Sequence, residues 1–150
     1  MHEKNEKIDF SVILPAYNEE KNIAIAVKKS INALTVLKKS GEIIVIDDGS
    51  LDNTSKEAEG VLTSVTGVHI YRHRFNRGLT ESLMTGFSHA RGDVIIFLCA
   101  DLQSNPEEDI PKLISQIEAG YDVVMGWRQG RKNRVVVSKI YHLLCRMLYG

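Results

Sequence analysis

Carboxylates recur at punctuated points of this chain, each just after an apolar run. Glu19 closes Ala16-Tyr17-Asn18-Glu19, Asp47 and Asp48 open Asp47-Asp48-Gly49-Ser50, and Asp101 sits in Ala100-Asp101-Leu102-Gln103. A fourth polar cluster, Gly126-Trp127-Arg128, adds a cation, and Arg77 is another. Acids at such places suit Mg2+ or Mn2+, hard cations held by one or two protein carboxylates plus substrate phosphates. The matching ligand is a nucleotide diphosphate, with the metal on its phosphates and further acids for base or ribose donors. Other chemistries lack their residues. The sequence has no G-x-G-x-x-G after the first apolar run, no G-x-x-x-x-G-K-[ST], no G-x-S-x-G and no His/Cys group at zinc spacing, which excludes dinucleotide, P-loop, α/β-hydrolase and zinc-site readings.

Each cluster has a blander reading. Glu19 and Glu20 could serve the first turn of a helix, Asp47 to Ser50 could be a plain turn, and Arg128 a solvated loop charge. His69 and His73 read as strand-surface residues. Two acids leaving a buried strand are harder to explain as a turn, and four clusters in register along a chain favour a site.

The elements between the clusters alternate strand and helix. Residues 10–14, 42–46, 68–72, 93–98 and 121–125 are β-rich apolar runs. The first is expected to stop at Pro15, and the fourth, the most apolar, to be central and buried on both faces. Helical periodicity runs from Glu19 to about Leu37, with acids ahead and Lys38-Lys39 behind to match the dipole. Asp52 or Asn53 should cap a helix to about residue 65. Another helix covers residues 79–90, and Pro106 and Pro111 should bracket a turn that opens a helix to Glu118. Residues 135–149 read as a last amphipathic helix. Such alternation predicts βαβ units on a mostly parallel sheet in three layers, α/β/α, with ligands outside the carboxyl ends of the strands.

Composition agrees with one domain. The 150 residues are 43% hydrophobic and carry 19 Lys+Arg against 19 Asp+Glu. A net charge of zero argues against nucleic-acid binding through bulk electrostatics. Cys99 and Cys145 make no disulfide framework and are expected reduced and buried, in a cytoplasmic setting. The polar stretch 1–9 reads as a tail with no signal-peptide core, and the apolar run 94–100 is far short of the ~20 residues that span a bilayer. The sequon at Asn53 reads as a helix start.

Four segments then carry a resemblance. Residues 12–20 (VILPAYNEE), 42–54 (EIIVIDDGSLDNT), Asn76-Arg77-Gly78 with Gly86-Phe87 and Ala90-Arg91-Gly92-Asp93, and 100–108 (ADLQSNPEE) resemble, in order, the motifs of family 2 glycosyltransferases of the Rossmann-like GT-A fold. Asp101-Leu102-Gln103 with Pro106-Glu107, then Gly126-Trp127-Arg128, is most similar to the branch of dolichol-phosphate mannose synthases and undecaprenyl-phosphate sugar transferases. The resemblance implies inverting transfer of a sugar from a UDP- or GDP-linked donor to a polyprenyl phosphate, with Mg2+ or Mn2+ as cofactor. By position, Pro15, Ala16, Tyr17, Glu19, Asp47, Asp48, Ala100 and Gln103 would bind the nucleotide-sugar. Asp101 and Gln103 would face the metal, and Asp101 with Arg128 would carry the catalysis. A phosphate monoester, with its second pKa about 6, is already an anionic nucleophile at neutral pH, so no histidine base is required.

Two departures accompany the resemblance. Where this branch has Asp-Ala-Asp, the chain has Cys99-Ala100-Asp101, and a thiol is a poor ligand for Mg2+. The family also continues past residue 150, so residues 10–150 are expected to lack the acceptor-side part. A saccharide hydroxyl acceptor, or a non-catalytic nucleotide-binding module, are the alternatives. The apolar stripe of the last helix is expected mostly to pack on the sheet, while the basic stretch 128–134, with Lys139 and Arg146 nearby, suggests peripheral contact at the cytoplasmic membrane face.

Overall fold

The computed structural model describes residues 8–62 and 67–126. Within them the order is β1 (Phe10–Ala16), α1 (Ile23–Val36), β2 (Gly41–Asp47), α2 (Thr54–Leu62), β3 (Val68–Arg72), α3 (Leu79–His89), β4 (Val94–Phe97) and α4 (Pro106–Glu118). The strands form one sheet in the order β3-β2-β1-β4, every described pairing parallel. Phe10 stands opposite both Gly41 and Val94, so β1 is held from two sides.

Alternation along the strands explains the layers. Val12, Leu14, Ile43, Val45 and Ile96 point to one face, where Ile23, Val27 and Leu34 of α1, Ala58 and Val61 of α2, and Ile110 and Ile114 of α4 complete a core. Ile13, Ile44 and Ile46 point to the other, against Leu83 of α3 and Tyr71. Helices on both faces make the expected three-layer α/β/α fold. Gly86 lets α3 lie close, since a β-carbon there would stand 2.6 Å from Cγ2 of Ile13.

Several expectations are corrected. β1 continues through Pro15 to Ala16. Ile13 O accepts from Leu98 N and Pro15 O from Ala100 N, so the missing proline N–H falls on the β4 side, past the last ladder residue, Phe97. Proline costs no ladder bond there. β4 is not central among the described strands. It ends the sheet, Ile95 and Phe97 are exposed, and β1 and β2 take the doubly covered positions. Its unbroken apolar run misled because an edge strand with one covered face can carry the same composition.

Residues 121–125 form no strand: Val123 is 79% and Met125 88% exposed, with no ladder partner among the described residues. Strand formation depends on a pairing neighbour more than on composition. α4 begins at Pro106 and contains Pro111, which forgoes a single bond to the Glu107 carbonyl. Glu107, Glu108 and Asp109 in its first turn complement the dipole. α1 lacks such charges in its terminal turns. Glu19 and Glu20 belong instead to the turn before it, and Lys39 pairs with Glu118 of α4. The helix-start reading of Asn53 agrees with the structure: Glu57 N bonds Asn53 O, and Thr54 N donates to Asp52 Oδ1.

A clasp closes the amino edge of the sheet. Glu42, 1% exposed, accepts Ser11 Oγ at 2.7 Å, Arg91 N at 2.8 Å, and Arg91 Nε and Nη2 at 2.9 and 2.6 Å. Ser11 Oγ in turn accepts Gly92 N at 2.8 Å. Burial alone would raise the Glu42 pKa; the Arg91 and Ser11 hydrogen bonds and the Arg91 charge outweigh it and hold the carboxyl below its usual range.

Candidate functional site

The carboxyl ends of β1, β2 and β4 are stitched into one rim. Asp48 N donates to Ala16 O at 2.8 Å and Ala100 N to Pro15 O at 3.4 Å. Beyond the strands, Asn18 N donates to Ser50 Oγ at 3.0 Å, Leu51 N to Asn18 Oδ1 at 2.9 Å, and Glu19 N to Thr54 Oγ1 at 2.8 Å. Asn18 has φ +56°, a left-handed turn that asparagine tolerates better than most residues. The chain moves from β1 outward to β3 and then returns to the far side of β1 as β4. That reversal makes the carboxyl ends of β1 and β4 the switch point of the sheet, the place where α/β sheets hold their ligands.

The predicted residues sort by their surroundings. Tyr17 is exposed on the rim, and Ala16 and Ala100 are buried as its floor. Glu19 is half-buried, its Oε2 accepting Asn22 Nδ2 at 2.7 Å. Asp47 is 0% exposed; Oδ1 accepts Ser50 N at 2.9 Å, and Oδ2 lies 3.2 Å from Arg72 Nε without a hydrogen bond among the described residues. The Arg72 guanidinium compensates this buried oxygen as an ion pair rather than as an aligned hydrogen bond.

Asp48 faces its own loop. Oδ1 accepts Arg77 N at 2.9 Å and lies 2.6 Å from His73 Nδ1, while Oδ2 accepts Gly78 N at 2.7 Å. Burial would raise its pKa, but the Arg77, His73 and Gly78 hydrogen bonds and the His73 charge lower it instead. Gly49, φ +70°, permits the close fit: a β-carbon there would lie 2.4 Å from the Phe75 carbonyl carbon.

His73 is the site residue that sequence reasoning missed. It is buried, not on the strand surface. Its signal was the register, since Asp47 stands opposite Arg72 and so brings the next pair, Asp48 and His73, together.

Asp101 is half-buried and its Oδ1 accepts Gln103 N at 3.0 Å, a tight turn with Leu102 at φ +53°. A bulky non-glycine residue in that region is strained, and such strain gathers at functional positions. Gln103 is exposed beside it, and Cys99 before it is half-buried rather than buried, since it lies just past the end of the edge strand β4. No group of three or more His, Cys, Asp or Glu side chains converges among the described residues. One carboxylate and an adjacent amide nonetheless fit a hard cation whose other ligands are phosphate oxygens and water. Trp127 and Arg128, the last amphipathic helix, Arg131 to Arg134, Lys139, Cys145 and Arg146 lie outside the described residues.

The glycosyl transferase family 2 profile matches residues 11–143. The chain belongs to that family. It is 40% identical over 145 residues to the undecaprenyl-phosphate 4-deoxy-4-formamido-L-arabinose transferase of Salmonella choleraesuis (strain SC-B67), covering 93% of this chain and 44% of the relative. The chain thus spans less than half the length of that curated relative. A mycobacterial protein of known structure superposes with TM-score 0.68 at 27% identity, over 94% of this chain and 48% of that one. Glucosyl-3-phosphoglycerate synthase from Mycobacterium tuberculosis, solved with Mn2+, UDP and glucosyl-3-phosphoglycerate, gives TM-score 0.66 at 25% identity, over 94% and 52%. The fold is therefore GT-A. No described helix is long and apolar enough to cross a membrane.

Proposed function

We propose that this chain is the donor-binding part of an inverting glycosyltransferase that moves a sugar from a nucleotide diphosphate to a polyprenyl phosphate. The observation that carries the reading is the rim. Three strand ends, joined by hydrogen bonds, bring Tyr17, Glu19, Asp47 and Asp101 to one edge of the sheet at its reversal point. The relative's acceptor, an undecaprenyl phosphate, supports the polyprenyl class.

Tyr17 and Glu19 would flank the nucleoside, with the backbone of Pro15, Ala16 and Ala100 beneath it. Asp47 Oδ2 is an acceptor suited to a nucleobase N–H once the half-exposed Arg72 side chain swings aside. Asp48 holds the wall of the pocket. Asp101, with the Gln103 side-chain carbonyl, would hold Mg2+ or Mn2+; the cation, when bound, supplies Lewis-acid stabilisation of the departing diphosphate. In the transfer, a phosphate oxygen of the acceptor bonds to the anomeric carbon as the bond to the nucleotide diphosphate breaks, with inversion. Arg128 would neutralise charge on the phosphates. The acceptor's lipid tail calls for peripheral contact with the cytoplasmic membrane face.

Calorimetric titration of UDP- and GDP-linked sugars onto the full chain, with and without Mn2+, tests this. Saturable binding that Mn2+ tightens is expected; no binding to any nucleotide-sugar rejects the reading. Cys99, where the resemblance has an acid, favours a second reading, a non-catalytic nucleotide-binding module. Saturable binding indifferent to Mn2+ would select it.

A further inference from the structure

We propose that His73 is a positioning residue that locks the donor-side loop, residues 73–78, onto the Asp47–Ser50 turn through Asp48. The inference rests on the donor-site reading above and names a residue that reading does not use.

His73 is 8% exposed and both of its ring nitrogens already face protein partners, so it is placed to hold other residues rather than a ligand. Its backbone N–H bonds Asp47 O at 2.8 Å. Nδ1 lies 2.6 Å from Asp48 Oδ1 and Nε2 lies 3.0 Å from Thr85 Oγ1. An ionised carboxylate can only accept, so Nδ1 carries a proton toward Asp48, while Nε2 faces the Thr85 hydroxyl, which can serve as donor or acceptor.

The imidazole therefore joins the end of β2 to α3, two elements on which the loop depends. Asp48 binds the same loop at Arg77 N and Gly78 N, so one carboxylate gathers three donors from six consecutive residues. Phe75 and Asn76 press on Gly49 with no room for a methyl group. The turn and the loop are thus one rigid piece. Removing His73 leaves Asp48 short of a charge-assisted partner and severs the tie to Thr85. The loop, with Arg77, should then sample positions that no longer match the donor.

The test uses the full chain with His73→Ala, His73→Asn and Thr85→Val. It reads donor affinity by calorimetry and amide exchange at Arg77 and Gly78, well below each melting temperature. An asparagine amide can reach Asp48 but not Thr85. His73→Ala is expected to weaken donor binding about tenfold and to speed exchange at both amides, the loss of one charge-assisted hydrogen bond. His73→Asn should recover affinity to within about threefold of the parent, and Thr85→Val should lose about threefold, a neutral hydrogen bond's worth.

A merely structural role would lower the melting temperature and leave affinity unmoved. A folded His73→Ala with parental affinity overturns the proposal, as do unchanged exchange rates. If His73→Ala does not fold, parental affinity and exchange in Thr85→Val overturn it. If the parent binds no nucleotide-sugar, the donor-site reading fails by itself, and amide exchange still decides whether the clamp exists.

Discussion

Asp101 and Cys99 are the residues on which cation binding at this rim would depend. Asp101 presents one carboxylate in a turn tightened by Leu102, which suffices for a metal that draws its remaining ligands from phosphates and water. Asp101→Asn should abolish the Mn2+-dependent part of donor affinity while leaving the metal-free part, read by paired titrations. Cys99→Asp should tighten metal-dependent binding, because a carboxylate replaces a soft thiol; an unchanged affinity would place Cys99 off the metal.

Gly49 is constrained in two ways, by φ +70° and by the Phe75 backbone. Gly49→Ala should cost about 2 kcal/mol and about 6 °C in melting temperature, checked by thermal denaturation. The acids of the rim were legible in the sequence because each follows an apolar run at a strand end. Their division of labour was not. That Asp48 turns toward the loop of residues 73–78 while Asp47 pairs with Arg72 depends on the path of residues 72–78, which no local pattern encodes.

At the level of elements, the Glu42 clasp ties together the starts of β1 and β2 and the segment leading into β4. Its lowered pKa fixes the sign of its pH dependence. The folded carboxyl loses its proton more readily than the unfolded one, so its stabilisation is fully present above the unfolded value. It is lost as pH falls through the lower folded value. Glu42→Gln should therefore destabilise the chain by about 2 kcal/mol at pH 7, with the gap from the parent shrinking once pH falls below about 4.3, where the unfolded carboxyl begins to protonate, and closing as pH passes the lower folded value. Denaturant melts at pH 7 and pH 3 measure this; an equal gap at both would exclude the clasp as an ionised device.

Helices α1 to α4 and the first four strands were readable from periodicity, since burial on one face imposes it. Strand ranks were not. Pro15 was read as a stop because the side on which its absent N–H falls depends on where β4 ends. Residues 121–125 carry strand composition without a described partner.

For the whole molecule, binding at the rim should act as a global stabiliser. A donor that binds the folded state at 100 times its Kd adds about 2.7 kcal/mol. The melting temperature should rise with UDP- or GDP-sugar concentration in the presence of Mn2+, and the Asp101→Asn variant should show a smaller rise. Differential scanning fluorimetry checks both.

Because Phe10 must meet Gly41 on one flank and Val94 on the other, no stretch of adjacent sequence can close this sheet by itself. A growing polypeptide leaving the ribosome has one flank of its first strand bare until most of the described chain has emerged. Assembly governed by such distant pairings is slow compared with hairpins or bundles. The rim where β1 meets β4 accordingly cannot form before β4 is made, and any competence to hold a donor there should arrive abruptly, when β4 docks.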